Sequence, residues 1–166
     1  MLLVVDIGNT NIVWGVYNDR TLAAHWRLAT EVKKTSDEYG ILFVSLLTAV
    51  GIPPPSISGT IVSSVVPALT GTFEDMLEQY FHQHPVIVTS DTDTGLTLRY
   101  ANPKEIGSDR LVNAAAAYHK YRRDLIVVDF GTATTFCAIT AAGHYLGGVI
   151  SPGLGISAEA LFTRAA

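Results

Sequence analysis

Two short stretches carry the residue types best suited to chemistry. Asp6-Ile7-Gly8-Asn9-Thr10-Asn11 follows the apolar run Leu2-Leu3-Val4-Val5, and Asp129-Phe130-Gly131-Thr132-Ala133-Thr134 follows Leu125-Ile126-Val127-Val128. A glycine beside small polar residues lets backbone N–H groups approach an anion closely, and a threonine hydroxyl adds a donor. Such a turn suits phosphate. A neighbouring aspartate is repelled by phosphate, at on the order of 4 kcal/mol for charges about 4 Å apart at an effective dielectric near 20. A hard cation such as Mg²⁺, which takes carboxylate and water oxygens, removes that conflict. Taken singly, each Asp-Gly pair also reads as an ordinary hairpin turn. Its return after a second apolar strand favours the phosphate reading.

A third candidate is Asp109, in Gly107-Ser108-Asp109-Arg110, at the end of a polar stretch from Thr89 to Gly107. Irregular segments of this length inside compact domains tend to carry function. Asp109 precedes the strong helix former Ala114-Ala115-Ala116-Ala117, so it suits an N-cap as well as a general base. Arg110 suits an anchor for a substrate anion or a surface ion pair. Tyr100 suits a ligand contact or packing beneath a loop. His82 and His84 alternate, but no carboxylate or thiol cluster joins them. Trp14 and Trp26 fall in strand-like stretches and read as core. Cys137, the one cysteine, excludes an internal disulfide and reads as a small buried hydrophobe.

Composition narrows the classes. With 48% hydrophobic and 16% charged residues the chain can bury a sizeable core. A net charge of −4 disfavours nucleic acid as a partner, since a duplex binder needs a basic face. Asp6 interrupts the first apolar run, which argues against a signal peptide, and no apolar run is long enough to cross a bilayer. A cytoplasmic protein without membrane contact is expected.

The elements that must position these residues follow from periodicity. Strands are expected at Leu2–Ile7, 11–17 and 21–28, with a hairpin loop at Asn18-Asp19-Arg20. Thr35 or Ser36 can cap a helix whose apolar face is Tyr39, Leu42, Phe43, Leu46 and Val50; Gly51 and Pro53-Pro54-Pro55 stop it. A strand at 59–66, a helix at about 68–81 and a strand at 86–88 complete this part. That order is the ribonuclease H-like pattern, an α/β arrangement of a mixed sheet with flanking helices. After a helix at about 109–121 the opening pattern restarts, with strands near Leu125–Phe130, 134–139 and 144–150. The reading is a first lobe at 1–108, a connecting helix at 109–123, and the start of a second, truncated lobe at 124–166. Too few residues follow Asp124 for a second whole copy.

Duplicated turns of this kind resemble the phosphate-gripping hairpins of the actin, sugar kinase and Hsp70 superfamily, in which ATP lies between two ribonuclease H-like lobes. Five stretches taken in order resemble one family within it. They are the Asp6–Asn11 and Asp129–Thr134 turns, Ser63-Ser64-Val65-Val66-Pro67, the stretch from Asn102 to Arg110, and Gly148-Val149-Ile150-Ser151-Pro152-Gly153. Together they look like type III pantothenate kinase. The resemblance implies ATP contacts from Asp6, Ile7, Gly8, Asn9, Thr10, Asn11, Ile12, Val13 and Thr132. It implies a monovalent cation (K⁺ or NH₄⁺) at Asp129, beside the Mg²⁺ that accompanies ATP. Asp109 would be the general base; Tyr100, Gly107, Ser108, Asp109 and Arg110 would hold pantothenate. A homodimer is also implied. Ser108 stands where the family usually has alanine, and the family's chains are longer, so later contacts are absent here. The rival classes are a ribonuclease H-like nuclease, a non-catalytic nucleotide- or pantothenate-binding regulator, and a related kinase for another hydroxylated acceptor.

Overall fold

The computed structural model describes residues 1–165. It divides into two compact units, Met1–Val88 and a second from Thr89 onward. This division falls earlier than the boundary at 108/109 expected from sequence. The segment after Val88 pairs with the second sheet, and the helix at 108–121 lies on that sheet, so both go with the second unit.

In the first unit, strands β1 (Leu2–Ile7), β2 (Asn11–Asn18) and β3 (Thr21–Ala29) form an antiparallel meander. Strands β4 (Gly59–Ser64) and β5 (Val86–Ile87) add in parallel on the other side of β1, giving the order β3-β2-β1-β4-β5. Helices α1 (Ser36–Ala49) and α2 (Pro67–Phe81) make the crossovers. One sheet face carries Leu3, Val5, Ile7, Ile12, Trp14 and Val16, all at 3% exposure or less, packed under Tyr39, Phe43, Leu47, Phe73 and Leu77 of the helices. Trp14 is the centre of this core, stacked at 4.2 Å on Trp26 and 3.9 Å on Phe43.

Local sequence explains the helix ends. Thr35 and Glu38 form a capping box: Thr35 Oγ1 accepts the Glu38 N–H at 3.3 Å and Glu38 Oε2 accepts the Thr35 N–H at 2.9 Å. Pro67 is the first residue of α2, where its missing N–H costs nothing. The buried face of α1 is Tyr39, Gly40, Phe43 and Leu47, rotated from the expected one, and Val50 is exposed. The cause is Gly40. A Cβ there would lie 2.3 Å from the Tyr80 ring of α2, so the glycine lets the helices close, and Tyr80 then donates to Asp37 Oδ1 at 2.8 Å.

In the second unit, β7 (Leu125–Phe130), β8 (Ala133–Ile139) and β9 (His144–Pro152) repeat the meander. The polar stretch expected to be irregular contains β6 (Thr97–Leu98), which joins β9 in parallel and gives the order β6-β9-β8-β7. Helix α3 (Ser108–Tyr121) covers the face bearing Leu125, Val127, Cys137, Ile139 and Tyr145. The opposite face differs from its counterpart in the first unit. Ile126, Val128 and Phe130 stand where Leu3, Val5 and Ile7 stand in β1, yet they are 65%, 40% and 70% exposed. Helix α4 (Leu154–Arg164) follows β9. No helix among the described residues is long and apolar enough to cross a membrane.

Candidate active site

The first Asp-Gly turn joins β1 to β2. The Gly8 N–H donates to the Asn11 carbonyl at 3.0 Å. Thr30, just past β3, braces the loop twice: its N–H donates to the Thr10 carbonyl at 3.0 Å and its Oγ1 to the Gly8 carbonyl at 2.6 Å. Asp6, Asn9 and Thr10 are exposed, and Ser63 Oγ of β4 donates to Asp6 Oδ1 at 3.0 Å. Ile7 and Ile12 are fully buried. Of the expected nucleotide stretch, those two side chains belong to the core, leaving only their backbone for a ligand.

The second turn is one residue shorter, with three residues between the paired Phe130 and Thr134 where four lie between Ile7 and Ile12. The Gly131 N–H donates to the Ala133 carbonyl at 3.0 Å, and the Gly153 N–H to the Thr132 carbonyl at 3.1 Å. Gly153 must be a glycine, since a Cβ would lie 2.4 Å from both the Gly131 and Thr132 oxygens. Gly131 and Thr132 are exposed, and Asn113 Nδ2 of α3 donates to Asp129 Oδ2 at 3.1 Å. Each turn thus presents one carboxylate beside exposed backbone. No group of three or more His, Cys, Asp or Glu able to hold a metal occurs among the described residues, His82 and His84 included. That donor set fits a cation held by a single carboxylate together with phosphate oxygens and water, and does not fit an all-protein cage.

The expected acceptor residues converge inside the second unit. A 3-10 turn at Pro103–Glu105 leads into α3, whose N-cap is Gly107. Asp109 is therefore not the cap that its place before the helix suggests. It lies in the first turn, half-buried, and its Oδ1 accepts the Arg110 N–H at 2.7 Å. Arg110 turns inward and is only 8% exposed. Its Nε donates to Cys137 Sγ at 3.3 Å, and the Tyr145 hydroxyl donates to the same sulfur at 3.3 Å. Burial opposes the Arg110 charge, but the bond to Cys137 and nearby Asp109 outweigh it and raise the guanidinium above its ordinary pKa. Burial likewise raises the Tyr145 phenol, so its proton stays on.

Arg110 has one nitrogen, Nη2, that is buried without a hydrogen-bond partner. An unsatisfied buried donor on a charged group is costly, which marks this arginine as more than a surface charge. Nη2 lies against Gly148, where a Cβ would come within 2.7 Å of it and within 1.8 Å of the Phe136 carbonyl oxygen. Next to it, Gly147 (φ +108°) sits under the Tyr100 ring, 2.9 Å from where its Cβ would be. Tyr100 and Arg110 meet adjacent glycines of one strand that lies far from them in sequence. The sequence pointed to Cys137 only as a small buried hydrophobe, which its 3% exposure bears out, and gave no part to Tyr145 or Gly147; the Gly-Gly pair inside an apolar strand was the available signal.

Residues 2–166 match the family model described as type III pantothenate kinase. The chain belongs to the type III pantothenate kinase family. Among solved structures it resembles a candidate 2-dehydro-3-deoxygalactonokinase from Sinorhizobium meliloti at 17% identity and TM-score 0.58, covering 99% of this chain and 56% of that one. It also resembles a candidate N-acetylglucosamine kinase from Porphyromonas gingivalis (17%, TM-score 0.53, 90% and 47% covered). A third is a Ppx/GppA phosphatase from Aquifex aeolicus (14%, TM-score 0.53, 98% and 54% covered). At such identities the likeness concerns the fold alone: the mixed α/β fold of actin-like ATPases and sugar kinases. The family member described here spans about half the length of the structures it matches.

Proposed function

We propose that the protein is an ATP-dependent pantothenate kinase, moving the γ-phosphate of ATP to the primary hydroxyl of pantothenate and giving 4′-phosphopantothenate, the first step of coenzyme A synthesis. The observation that carries this reading is the buried, incompletely paired Arg110 beside Asp109 and Tyr100. A cation next to a carboxylate suits an acceptor with an acidic end and a hydroxyl end. Pantothenate has both. Asp109 takes the hydroxyl proton as that oxygen attacks phosphorus, while Arg110 holds the acceptor's carboxylate and Tyr100, Gly107 and Ser108 line its path. Positioned bases of this kind contribute about 10²–10⁴-fold.

The turn at 6–13 and Thr132 of the second turn serve the nucleotide, through exposed backbone N–H groups and hydroxyls. Asp6 is the residue to hold Mg²⁺ and Asp129 the one to hold K⁺ or NH₄⁺. Bound there, the cations neutralise phosphate charge that would otherwise repel both carboxylates. A cytoplasmic homodimer accompanies the reading.

The test is ADP release with and without pantothenate and K⁺, with Asp109→Asn run in parallel. The expected result is pantothenate-dependent release that Asp109→Asn lowers by about 10²-fold or more. Release that ignores pantothenate, or a variant that keeps most of its activity, overturns the assignment. Phosphorylation of a different alcohol in preference to pantothenate would instead favour a sister kinase, since the phosphate turns do not read the acceptor.

A further inference from the structure

We infer that Cys137 and Tyr145 are positioning residues for Arg110, a thiol–phenol pair that fixes the guanidinium plane and so the direction from which its fork meets the acceptor's carboxylate. The inference rests on the reading of the acceptor given above. An arginine side chain is long and flexible, and its fork selects a carboxylate only when its plane is held. Here the plane is held at Nε, the one guanidinium nitrogen inside the chain rather than at its tip, by Cys137 Sγ at 3.3 Å. The sulfur is itself pinned by the Tyr145 hydroxyl at 3.3 Å. All three groups are at least nine-tenths buried, so water does not compete for these bonds.

The strand register makes the device possible. Cys137 on β8 faces Gly148 on β9, and the missing side chain at Gly148 leaves the space that Nη2 uses. Tyr145 enters from the same strand as Gly148, beyond the register shift between Ala138 and Ile139. A thiol suits the middle position. Sulfur is large enough to reach both donors, whereas a serine oxygen sits closer to its own backbone and falls short of them. Because burial keeps the Tyr145 phenol protonated, it remains a donor across the working pH range. Neither residue touches the reacting hydroxyl; their action is through Arg110.

The experiment measures binding by calorimetry, using pantothenate and pantothenyl alcohol, which keeps the hydroxyl and lacks the carboxylate. The wild-type chain is compared with Cys137→Ala, Tyr145→Phe and Arg110→Gln, and the Arg110 Nε–H signal is followed by ¹⁵N NMR. The expected result is that Cys137→Ala weakens pantothenate about tenfold, leaves pantothenyl alcohol unchanged, and speeds exchange of the Nε proton. Tyr145→Phe, which keeps the ring and its packing, shifts the same readouts by a smaller factor and carries the test if Cys137→Ala does not fold. Unchanged pantothenate affinity in both variants, with Arg110→Gln abolishing the preference for pantothenate, overturns the positioning role and leaves the acceptor reading standing. Equal affinity of the wild-type chain for the two compounds, or none for either, overturns the acceptor reading and this inference with it.

Discussion

The two copies of the β-meander offer a matched pair of substitutions. Leu3 and Ile126 occupy equivalent places, two residues before Val5 and Val128, yet Leu3 is fully buried and Ile126 is 65% exposed. Leu3→Ala removes three carbons from a packed face, about 0.8 kcal/mol each in transfer energy, and leaves a cavity besides; the total expected is about 3 kcal/mol. Ile126→Ala removes as many carbons, but only about a third of the side chain is out of water, so about 0.8 kcal/mol is expected. The units have separate probes. Both tryptophans, Trp14 and Trp26, lie in the first, so fluorescence during urea unfolding reads that unit alone. The one thiol, Cys137, is buried in the second, so its reactivity toward a disulfide reagent reads the other. The refuting result is an Ile126→Ala cost equal to that of Leu3→Ala. It would mean that the exposed face of β7 is covered in solution, and the comparison of the two faces would fail.

Further outcomes follow from the packing and the titrating groups. Thr35→Ala should lower the stability of the first unit by about 1 kcal/mol in urea unfolding, through loss of the capping box. Gly40→Ala should cost about 1–3 kcal/mol by the same measurement, because its Cβ meets the Tyr80 ring at 2.3 Å and drives α1 from α2. Gly148→Ala should expose Cys137 to thiol reagents in the folded protein, since the new methyl meets the Phe136 carbonyl and Arg110 Nη2. Alkaline pH should weaken the second unit. Burial raises the Tyr145 phenol above 10.0, so the unfolded chain ionises first and stability falls as pH climbs past that value. Thiol-detected unfolding at about pH 9 and about pH 11 should show a drop that Tyr145→Phe reduces.

The features legible in the sequence are those set within a few residues. The apolar runs that open Leu2–Ile7 and Leu125–Phe130, the Thr35 cap, the proline opening α2 and the two Asp-Gly turns depend on local backbone preference and side-chain type. The repeat was visible for the same reason, because a strand and its turn carry their pattern wherever they stand. Distant pairing was not legible. Nothing near Thr97–Leu98 marks it as a strand; its partner at His144–Tyr145 supplies the hydrogen bonds that make it one. Asp109 suited a cap as well as a base, because aspartates before helices often cap them, and only the backbone at Gly107 shows the helix starting earlier. The same limit applies at the candidate site. Arg110 looked equally suited to a surface pair or an anchor, and its burial was decided by a sulfur on β8, a phenol on β9 and a missing side chain at Gly148. Local period determines which residues share a face. Which face is covered, and which charge is buried beneath it, depends on chain segments that meet only when the sheet closes.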